Sequence, residues 1–305
     1  MKDVCVCVLA YNEQRHIANT IQAILCGNGD MDFDIVVYAN GCTDRTADVV
    51  KELCQTIANL RLRELSKPSK SHAWTTAFAE NVNAILFFSD GDVRPEPGSV
   101  VALSRCLGER PEVALVCSQL WPDTHGLSFE QRLTGFLQIP LAQDFLTGFY
   151  AIRRSHLLER LREKGLDGIP EGVVGEDEFL QRLVPANAFL VARQKVFYRP
   201  PVLNDYWKYL ARMRWQEEQR LKAYGDLFAD DKDEPRRFWS GRVAKKLRSG
   251  QGLRRTLLGV ASSGLRTVVK SVFKAKIDTY YRDLGPVCRE GRNILSQATR
   301  SESAK

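Results

Sequence analysis

The first hundred residues alternate strand-like and helix-like segments, and this regular alternation limits what the chain can fold into. Short apolar runs rich in β-branched residues are separated by stretches whose apolar residues recur at helical spacing. The predicted strands are 3–10, 33–39, 60–65 and 84–89, and the predicted helices are 14–25, 45–56 and 71–82. Strands that alternate with helices build βαβ units, in which helices cover both faces of a parallel sheet. We therefore expect an α/β fold with a mostly parallel sheet flanked by helices.

Three polar loops follow the predicted strands, at residues 11–13, 40–44 and 90–92. In open α/β sheets, ligands bind beyond the carboxyl ends of the strands. Loops that are far apart in the sequence therefore meet at one edge of the sheet. The sequence predicts that the polar residues of these three loops line a single cleft.

The loop after the fourth predicted strand reads Asp90-Gly91-Asp92. Two carboxylates separated by one glycine can direct oxygen ligands to a single Mg²⁺ or Mn²⁺ ion, and such an ion usually takes its remaining ligands from water and substrate phosphates. The ion would neutralise the charge that develops on a diphosphate leaving group. The alternative interpretation is an acidic turn, because Asp and Gly are common turn residues.

A second acidic pair, Glu176-Asp177, opens a predicted helix at 176–183 after the glycine-containing approach 172–175. Carboxylates in a first helical turn are stabilised by the helix dipole and by free N–H groups, which is sufficient for simple capping. The functional interpretation is that the pair Glu176-Asp177 provides a general base on a rigid element.

Five short motifs occur in a characteristic order: Ala10-Tyr11-Asn12-Glu13, Asn40-Gly41-Cys42-Thr43-Asp44-Arg45-Thr46, Ser69-Lys70, Asp90-Gly91-Asp92 and Gly175-Glu176-Asp177. This order resembles that of the family 2 glycosyltransferases, and the resemblance covers about residues 3–225. It implies a Rossmann-like GT-A fold, a nucleotide diphosphate sugar as donor, and inversion at the anomeric carbon.

The resemblance also implies roles for individual residues. Asp92 would be the direct metal ligand with Asp90 beside it, and Asp177 would be the catalytic base. The residues implied for binding the nucleotide sugar are Ala10, Tyr11, Glu13, Asn40, Lys70, Asp90, Gly91, Arg212, Arg214 and Trp215. The last three look like a partial version of an arginine-tryptophan motif found in processive relatives.

Two departures from the family pattern bear on specificity. Ala39-Asn40 stands where two acidic residues are frequent, and the first of those commonly contacts uracil, so UDP-, GDP- and dTDP-linked donors all stay open. Ala211 replaces the glutamine that begins the processive motif. Because no stretch is long and apolar enough to span a bilayer, transfer of a single sugar is favoured over polymerisation.

Two other functions are alternatives to sugar transfer. A sugar nucleotidyltransferase would need a glycine-rich phosphate loop after the first strand, where this chain has residues 11–15, Tyr-Asn-Glu-Gln-Arg. A non-catalytic binding protein with the same fold would not require both Asp92 and Asp177. Sugar transfer to an acceptor hydroxyl, of a glycan or a lipid-linked molecule, is the preferred hypothesis.

The C-terminal part differs strongly in charge from the rest of the chain. Residues 235–305 contain 17 lysines and arginines against four acidic residues, a net +13 within a total of +7, so the first 234 residues carry −6. We predict a catalytic domain at 1–228 and a basic helical extension at 229–305. Residues 253–277 would form an amphipathic helix, which either packs on the catalytic domain or rests on an anionic membrane surface.

No recognisable binding module in the sequence indicates a partner other than a sugar nucleotide and its acceptor. Clustered Lys and Arg can bind nucleic acid without sequence preference, but no known nucleic-acid module is recognisable, so that partner is not expected. Met1-Lys2-Asp3 leads directly into a strand without a signal-peptide core. The expected location is the cytoplasm, with peripheral contact at the inner face of a membrane as an option.

Overall fold

The computed structural model describes residues 2–138, 145–222 and 253–279, and its elements agree closely with the predicted ones. The strands are β1 Val4–Ala10, β2 Asp34–Asn40, β3 Leu60–Leu65, β4 Ile85–Asp90, β5 Val93–Pro95, β6 Leu115–Pro122, β7 Phe149–Arg153 and β8 Phe189–Tyr198. The helices are α1 Ile17–Leu25, α2 Thr46–Cys54, α3 Lys70–Glu80, α4 Ser99–Glu109, α5 Phe129–Leu137, α6 Arg154–Glu163, α7 Glu176–Leu183, α8 Leu203–Lys222 and α9 Leu253–Val272.

The eight strands form one sheet in the order β3-β2-β1-β4-β7-β6-β8-β5. Strands β1–β4 pair in parallel, as predicted. Strand β1 is buried along its whole length between β2 and β4. In this register Leu9 lies opposite Asp90, and Ala10 lies opposite Ala39. The carboxyl ends of β1, β2 and β4 therefore meet at one edge, where the three polar loops begin.

The sheet becomes mixed beyond β4. Strand β7 pairs with β4 in the antiparallel direction, with Phe149 opposite Ser89. This reversal brings the start of β7 to the edge where β4 ends, so Gly148 lies beside Asp90. Strands β6 and β8 also pair antiparallel with β7 and β5, respectively. The parallel pairs β1–β2, β1–β4 and β2–β3 thus build the part of the sheet that precedes β7 in the strand order.

An aromatic stack fixes the position of α3 on the sheet. Trp74 is fully buried, and its ring stacks on Phe78 and Phe88 at centroid distances of 5.0 and 4.8 Å. Its indole nitrogen donates a hydrogen bond to the Tyr150 hydroxyl at 2.9 Å. At the start of the helix, the Ser69 hydroxyl accepts a hydrogen bond from the backbone N–H of His72. Together these contacts hold Lys70, the first residue of α3, at the sheet edge.

The chain divides into two compact units. The sheet unit consists of residues 1–121 and 145–198, and its described part contains the whole sheet and helices α1–α4, α6 and α7. The described part of the helical unit consists of residues 122–138, 199–222 and 253–279. Its core is formed by side chains of α5, α8 and the segment after α9: Leu137, Tyr206, Trp207, Leu210, Ala211 and Ile277. The predicted domain boundary at 228/229 lies outside the described residues.

Candidate active site

The loop Asp90-Gly91-Asp92 is held tightly against the end of β1. The backbone N–H of Gly91 donates to the Leu9 carbonyl at 3.0 Å, and the Thr20 hydroxyl donates to the Gly91 carbonyl at 2.9 Å. A β-carbon on Gly91 would lie 3.1 Å from side-chain carbons of both Ala10 and Glu13. The glycine therefore allows the acidic loop to approach the loop that follows β1.

Gly148 supports the same loop from β7. Its carbonyl accepts a hydrogen bond from the backbone N–H of Asp90 at 2.8 Å. A β-carbon on Gly148 would lie 2.7 Å from Oδ2 of Asp90, closer than non-bonded atoms approach. A side chain at this position must therefore displace the Asp90 carboxylate.

We expect Gly148→Ala to lower the affinity for a nucleotide diphosphate with Mn²⁺ by about tenfold or more, since a displacement of about 1 Å at a binding group can be that costly. Titration calorimetry measures the effect. Gly108→Ala is the matched control, because Gly108 lies in α4 with no atom within 4 Å of a new β-carbon, and alanine favours a helix. Equal affinities in the two variants would contradict the role of Gly148.

Three carboxylates crowd together at this edge. Burial and the charge of Asp92 raise the pKa of Glu13 to about 7, although His16, 3.0 Å away, acts in the opposite direction. Partial removal from water and the charge of Asp90 likewise raise the pKa of Asp92. Burial, and to a smaller extent mutual repulsion, thus disfavour the charged forms of these carboxyl groups, and a cation bound among them would offset both effects. Such a cluster favours the binding of a cation.

Lys70 bridges the acidic loop to the helix that carries the second acidic pair. Its Nζ lies 2.5 Å from Oδ1 of Asp90 and 2.5 Å from Oε1 of Glu176. Burial opposes the charged form of Lys70, but the charges of Asp90 and Glu176 outweigh it and raise the pKa of the ammonium group. The side chain of Glu176 is only 8% exposed, so Lys70 supplies the charge that a carboxylate in this position needs.

Glu176 and Asp177 form the first turn of α7, which begins after Gly175 at a left-handed φ of 92°. Burial is the main cause of a raised pKa at Tyr150, and the charges of Glu176, Asp90 and Asp177 all contribute to it. The Tyr150 hydroxyl thus lies within the field of carboxylates from both acidic motifs. The two motifs are 84 residues apart or more in the sequence, yet they share one site.

The loops after β1 and β2 are joined by Asn12. Its side-chain oxygen accepts hydrogen bonds from the backbone N–H groups of Thr43 and Asp44 at 2.8 and 3.3 Å. Asn12 has a positive φ of 57°, a conformation that asparagine tolerates better than most residues. Asn12 therefore connects the two loops through hydrogen bonds. The adjacent Tyr11 is 50% exposed.

The acidic loop has the oxygen chemistry that Mg²⁺ or Mn²⁺ requires, since carboxylates are preferred ligands of both ions. Within the described ranges, however, no group of three His, Cys, Asp or Glu side chains is arranged to hold a metal ion. An ion at Asp92 and Asp90 would therefore need further ligands from water or a bound phosphate. This arrangement fits an ion that binds together with a nucleotide diphosphate.

Most of the residues implied by the resemblance lie at this one edge. Those in the sheet unit are Ala10, Tyr11, Glu13, Asn40, Lys70, Asp90, Gly91, Asp92, Glu176 and Asp177. Arg212, Arg214 and Trp215 belong to α8 in the helical unit. There, Arg214 forms an ion pair with Asp278, and Trp215 is buried at 4% exposure. The donor-binding role of these three residues stays a prediction.

The sequence did not reveal several contacts that shape the site. His16 pairs with Glu13, and the three-residue spacing of an acid and a base near a helix start was an available signal. The hydrogen bond from Trp74 to Tyr150 joins residues 76 positions apart, which no local pattern reveals. Thr75 accepts a hydrogen bond from the backbone N–H of Ile169 and donates one to its carbonyl, so it anchors the approach to α7.

Comparison with protein-family models gives one match, to "Glycosyltransferase like family 2", over residues 2–212. This range includes the acidic loop, Lys70 and the start of α7. No curated protein sequence matches the chain significantly.

None of the helices in the described part of the chain is both long and apolar enough to cross a membrane.

Among solved structures, the mannosyltransferase PcManGT from Pyrobaculum calidifontis, in complex with GDP-Man and Mn²⁺, is similar with a TM-score of 0.57 and 18% identity. The match covers 99% of this chain and 88% of that one. S. aureus TarS 1–349 in complex with UDP matches with a TM-score of 0.49 and 16% identity over 95% of this chain and 92% of that one. Glucosyl-3-phosphoglycerate synthase from Mycobacterium tuberculosis, with Mn²⁺ and UDP-Glc, matches with a TM-score of 0.46 and 20% identity, covering 70% and 79%.

Proposed function

The chain belongs to glycosyltransferase family 2, and on that basis we propose that it transfers a single sugar from a nucleotide diphosphate donor to an acceptor hydroxyl. The reaction depends on Mg²⁺ or Mn²⁺ and inverts the configuration at the anomeric carbon. The observation that carries this proposal is the bridge formed by Lys70 between Asp90 and Glu176. It links the acidic loop to the helix turn that bears Asp177. One site can therefore act on both the departing diphosphate and the attacking hydroxyl.

Asp177 takes the proton from the acceptor hydroxyl in this reaction. The hydroxyl oxygen then attacks the anomeric carbon from the face opposite the diphosphate. The bond between that carbon and the diphosphate oxygen breaks, and its electron pair leaves with the diphosphate. A single displacement of this kind inverts the anomeric configuration. Asp177 is suited to the task because it lies in the first turn of a helix, on a rigid element.

Asp92 and Asp90 would hold the divalent cation, with Glu13 close to both. When bound, the cation supplies positive charge for the departing diphosphate. Lys70 keeps Asp90 in place through one carboxylate oxygen and leaves the other, Oδ2, directed toward Gly148. Gly91 permits the close approach of the loop to β1. The residues thus orient the donor, while Asp177 performs the proton transfer.

The donor base is selected at the end of β2, where Ala39 and Asn40 are both buried. A methyl side chain cannot donate or accept a hydrogen bond, so Ala39 offers no polar contact to a uracil ring. UDP-, GDP- and dTDP-linked sugars are therefore all candidate donors. GDP-mannose is a sensible first choice, because it is the donor bound by PcManGT.

The acceptor is a hydroxyl group of a glycan or a lipid-linked molecule, and one sugar is added per acceptor. We propose a single addition because Ala211 stands where processive relatives carry glutamine, and it is fully buried in α8. A buried alanine offers no polar group with which to hold a growing chain.

A thermal-shift panel tests donor and metal use together. We expect one of UDP, GDP and dTDP to raise the melting temperature with Mn²⁺ present, and far less without it, because a ligand that binds only the folded state stabilises it by mass action. At a hundred times its Kd, such a ligand adds about 2.7 kcal/mol. Asp92→Asn should remove the Mn²⁺-dependent part of the shift. A full shift without metal, or an unchanged shift in Asp92→Asn, would contradict the metal site.

A further inference from the structure

The helical unit exposes far more apolar surface than the sheet unit. Ten large hydrophobic side chains are exposed among the described residues, and only Tyr11 and Val82 belong to the sheet unit. The other eight belong to the helical unit: Phe129, Leu133, Val202, Met213, Leu265, Val268, Val272 and Phe273. Large exposed apolar surfaces on globular proteins commonly mark interaction sites. Because the exposed hydrophobic side chains are concentrated in the helical unit, we expect this unit to bind a partner.

Four of the eight exposed side chains of the helical unit belong to α9 and to Phe273, the residue that follows it. Leu265, Val268 and Val272 follow one another at three- and four-residue spacing, so they form a stripe along one side of the helix. Their exposed fractions are 41%, 56% and 68%. Ser262, which is fully buried, and Val269, which contacts the core of the unit, lie directly beside this stripe on the helix. The helix thus packs along one edge of its apolar side and leaves the stripe along the other edge exposed.

Helix α5 of the same unit contributes a second exposed pair. Phe129 is 82% exposed and Leu133 is 37% exposed, and their four-residue spacing places them on one side of α5. Helices α5 and α9 are in contact. Two neighbouring helices of the unit therefore each expose apolar side chains.

The charged residues of the segment that carries the α9 stripe have a single sign. Residues 253–277 contain six lysines and arginines and no aspartate or glutamate. Lys270, Lys274 and Lys276 are all exposed. An amphipathic helix with a basic polar side and an apolar side is the type that lies in the interface of an anionic membrane. Anionic lipids attract each nearby Lys or Arg, and the apolar side enters the boundary of the acyl chains.

We propose that the helical unit binds the surface of an anionic lipid bilayer through the stripe Leu265, Val268 and Val272, with the exposed residues of α5 adding to the contact. A second copy of this chain fits the surface less well. Two identical stripes would bring two sets of basic residues together with no acidic residue in 253–277 to offset them. The helix lies along the bilayer rather than across it, consistent with the absence of a span among the described helices.

Co-sedimentation with vesicles tests this proposal on the full chain. We expect most of the protein to pellet with vesicles that contain about a third anionic phosphatidylglycerol, and much less with pure phosphatidylcholine. High salt should reduce the bound fraction, because it screens attraction between exposed charges. Equal binding to both vesicle types, or no binding to the anionic ones, would overturn the proposal.

A matched pair of variants locates the contact. Val268→Asp/Val272→Asp should weaken binding to anionic vesicles by about tenfold or more, since it removes apolar burial and adds repulsion. Val82→Asp is the control, because Val82 is 59% exposed in the sheet unit and should leave binding unchanged. A normal circular dichroism spectrum and an unchanged thermal shift with nucleotide diphosphate show that each variant is folded.

Analytical ultracentrifugation without lipid tests whether the stripe instead binds a second copy of this chain. If the wild-type chain self-associates and Val268→Asp/Val272→Asp abolishes that association, the stripe is an interface between copies and the membrane proposal is wrong. A monomeric wild type whose vesicle binding is lost in this variant, but not in Val82→Asp, supports it. Because the readout requires no catalysis, failure here would leave the proposed enzyme activity untouched.

Discussion

Replacing Asp177 by asparagine is expected to reduce the rate of nucleoside diphosphate release by about 10²–10⁴-fold, the range typical for loss of a general base. Asparagine keeps the size of the side chain and can still accept the hydrogen bond that Glu178 N–H donates to Asp177 Oδ1 at 2.9 Å. It cannot take a proton from an acceptor hydroxyl. Donor binding with Mn²⁺ should therefore change little, while turnover falls.

Glu178→Gln is the matched control for Asp177→Asn. Glu178 belongs to the same helical turn, and its partly exposed side chain pairs with Arg182 one turn along α7. Pairs of this kind contribute only about 0.3–0.5 kcal/mol, so the variant should fold and turn over normally. If Asp177→Asn kept near-normal turnover, or if Glu178→Gln lost as much, the base would have to be another residue. A chain that binds the donor but never turns over would be the non-catalytic protein considered above.

The second large effect is expected from Lys70→Met. This change removes the cation between Asp90 and Glu176 and leaves Glu176, only 8% exposed, without its ion pair to Lys70. Breaking a buried pair costs about 3–5 kcal/mol. Because Lys70 itself is 41% exposed, solvent screening reduces the expected loss to roughly 1–3 kcal/mol. The melting temperature should fall by several degrees, and activity should fall with it.

A double variant separates the two consequences of losing Lys70. Lys70→Met/Glu176→Gln has no uncompensated charge at position 176, so its melting temperature should recover at least in part. Its activity should remain low, because the link between the acidic loop and α7 is still broken. Full recovery of turnover would show that Lys70 has only a structural role. A Lys70→Met protein as stable and active as the wild type would show that the bridge does not matter.

The parallel half of the fold could be predicted because its signals are local. β-Branched runs, helical spacing and polar loops define β1–β4 and α1–α3, and the rule that ligands bind at the carboxyl ends of parallel strands then locates the site. The start of α7 at Glu176 was predicted because a glycine followed by acidic residues is a local signal for a helix start.

The antiparallel half could not be predicted in the same way, because it depends on contacts between distant segments. The pairing of β4 with β7 places Gly148 beside Asp90 across 58 residues of sequence. The resemblance implies that Lys70 binds the nucleotide sugar, whereas its two ion pairs to Asp90 and Glu176 depend on where α3 and α7 pack. Side-chain positions at this level follow from tertiary packing, which sequence spacing does not encode.

The stereochemistry of sugar release tests the account most directly. The protein is incubated with Mn²⁺ and the α-linked donor whose diphosphate the thermal-shift panel selects, with water as acceptor, and the anomeric signals of the released sugar are followed by proton NMR. Direct displacement assisted by Asp177 predicts that the β anomer appears first and that Asp177→Asn suppresses its appearance. If the α anomer appeared first, the single-displacement mechanism and the role of Asp177 as its base would both be wrong.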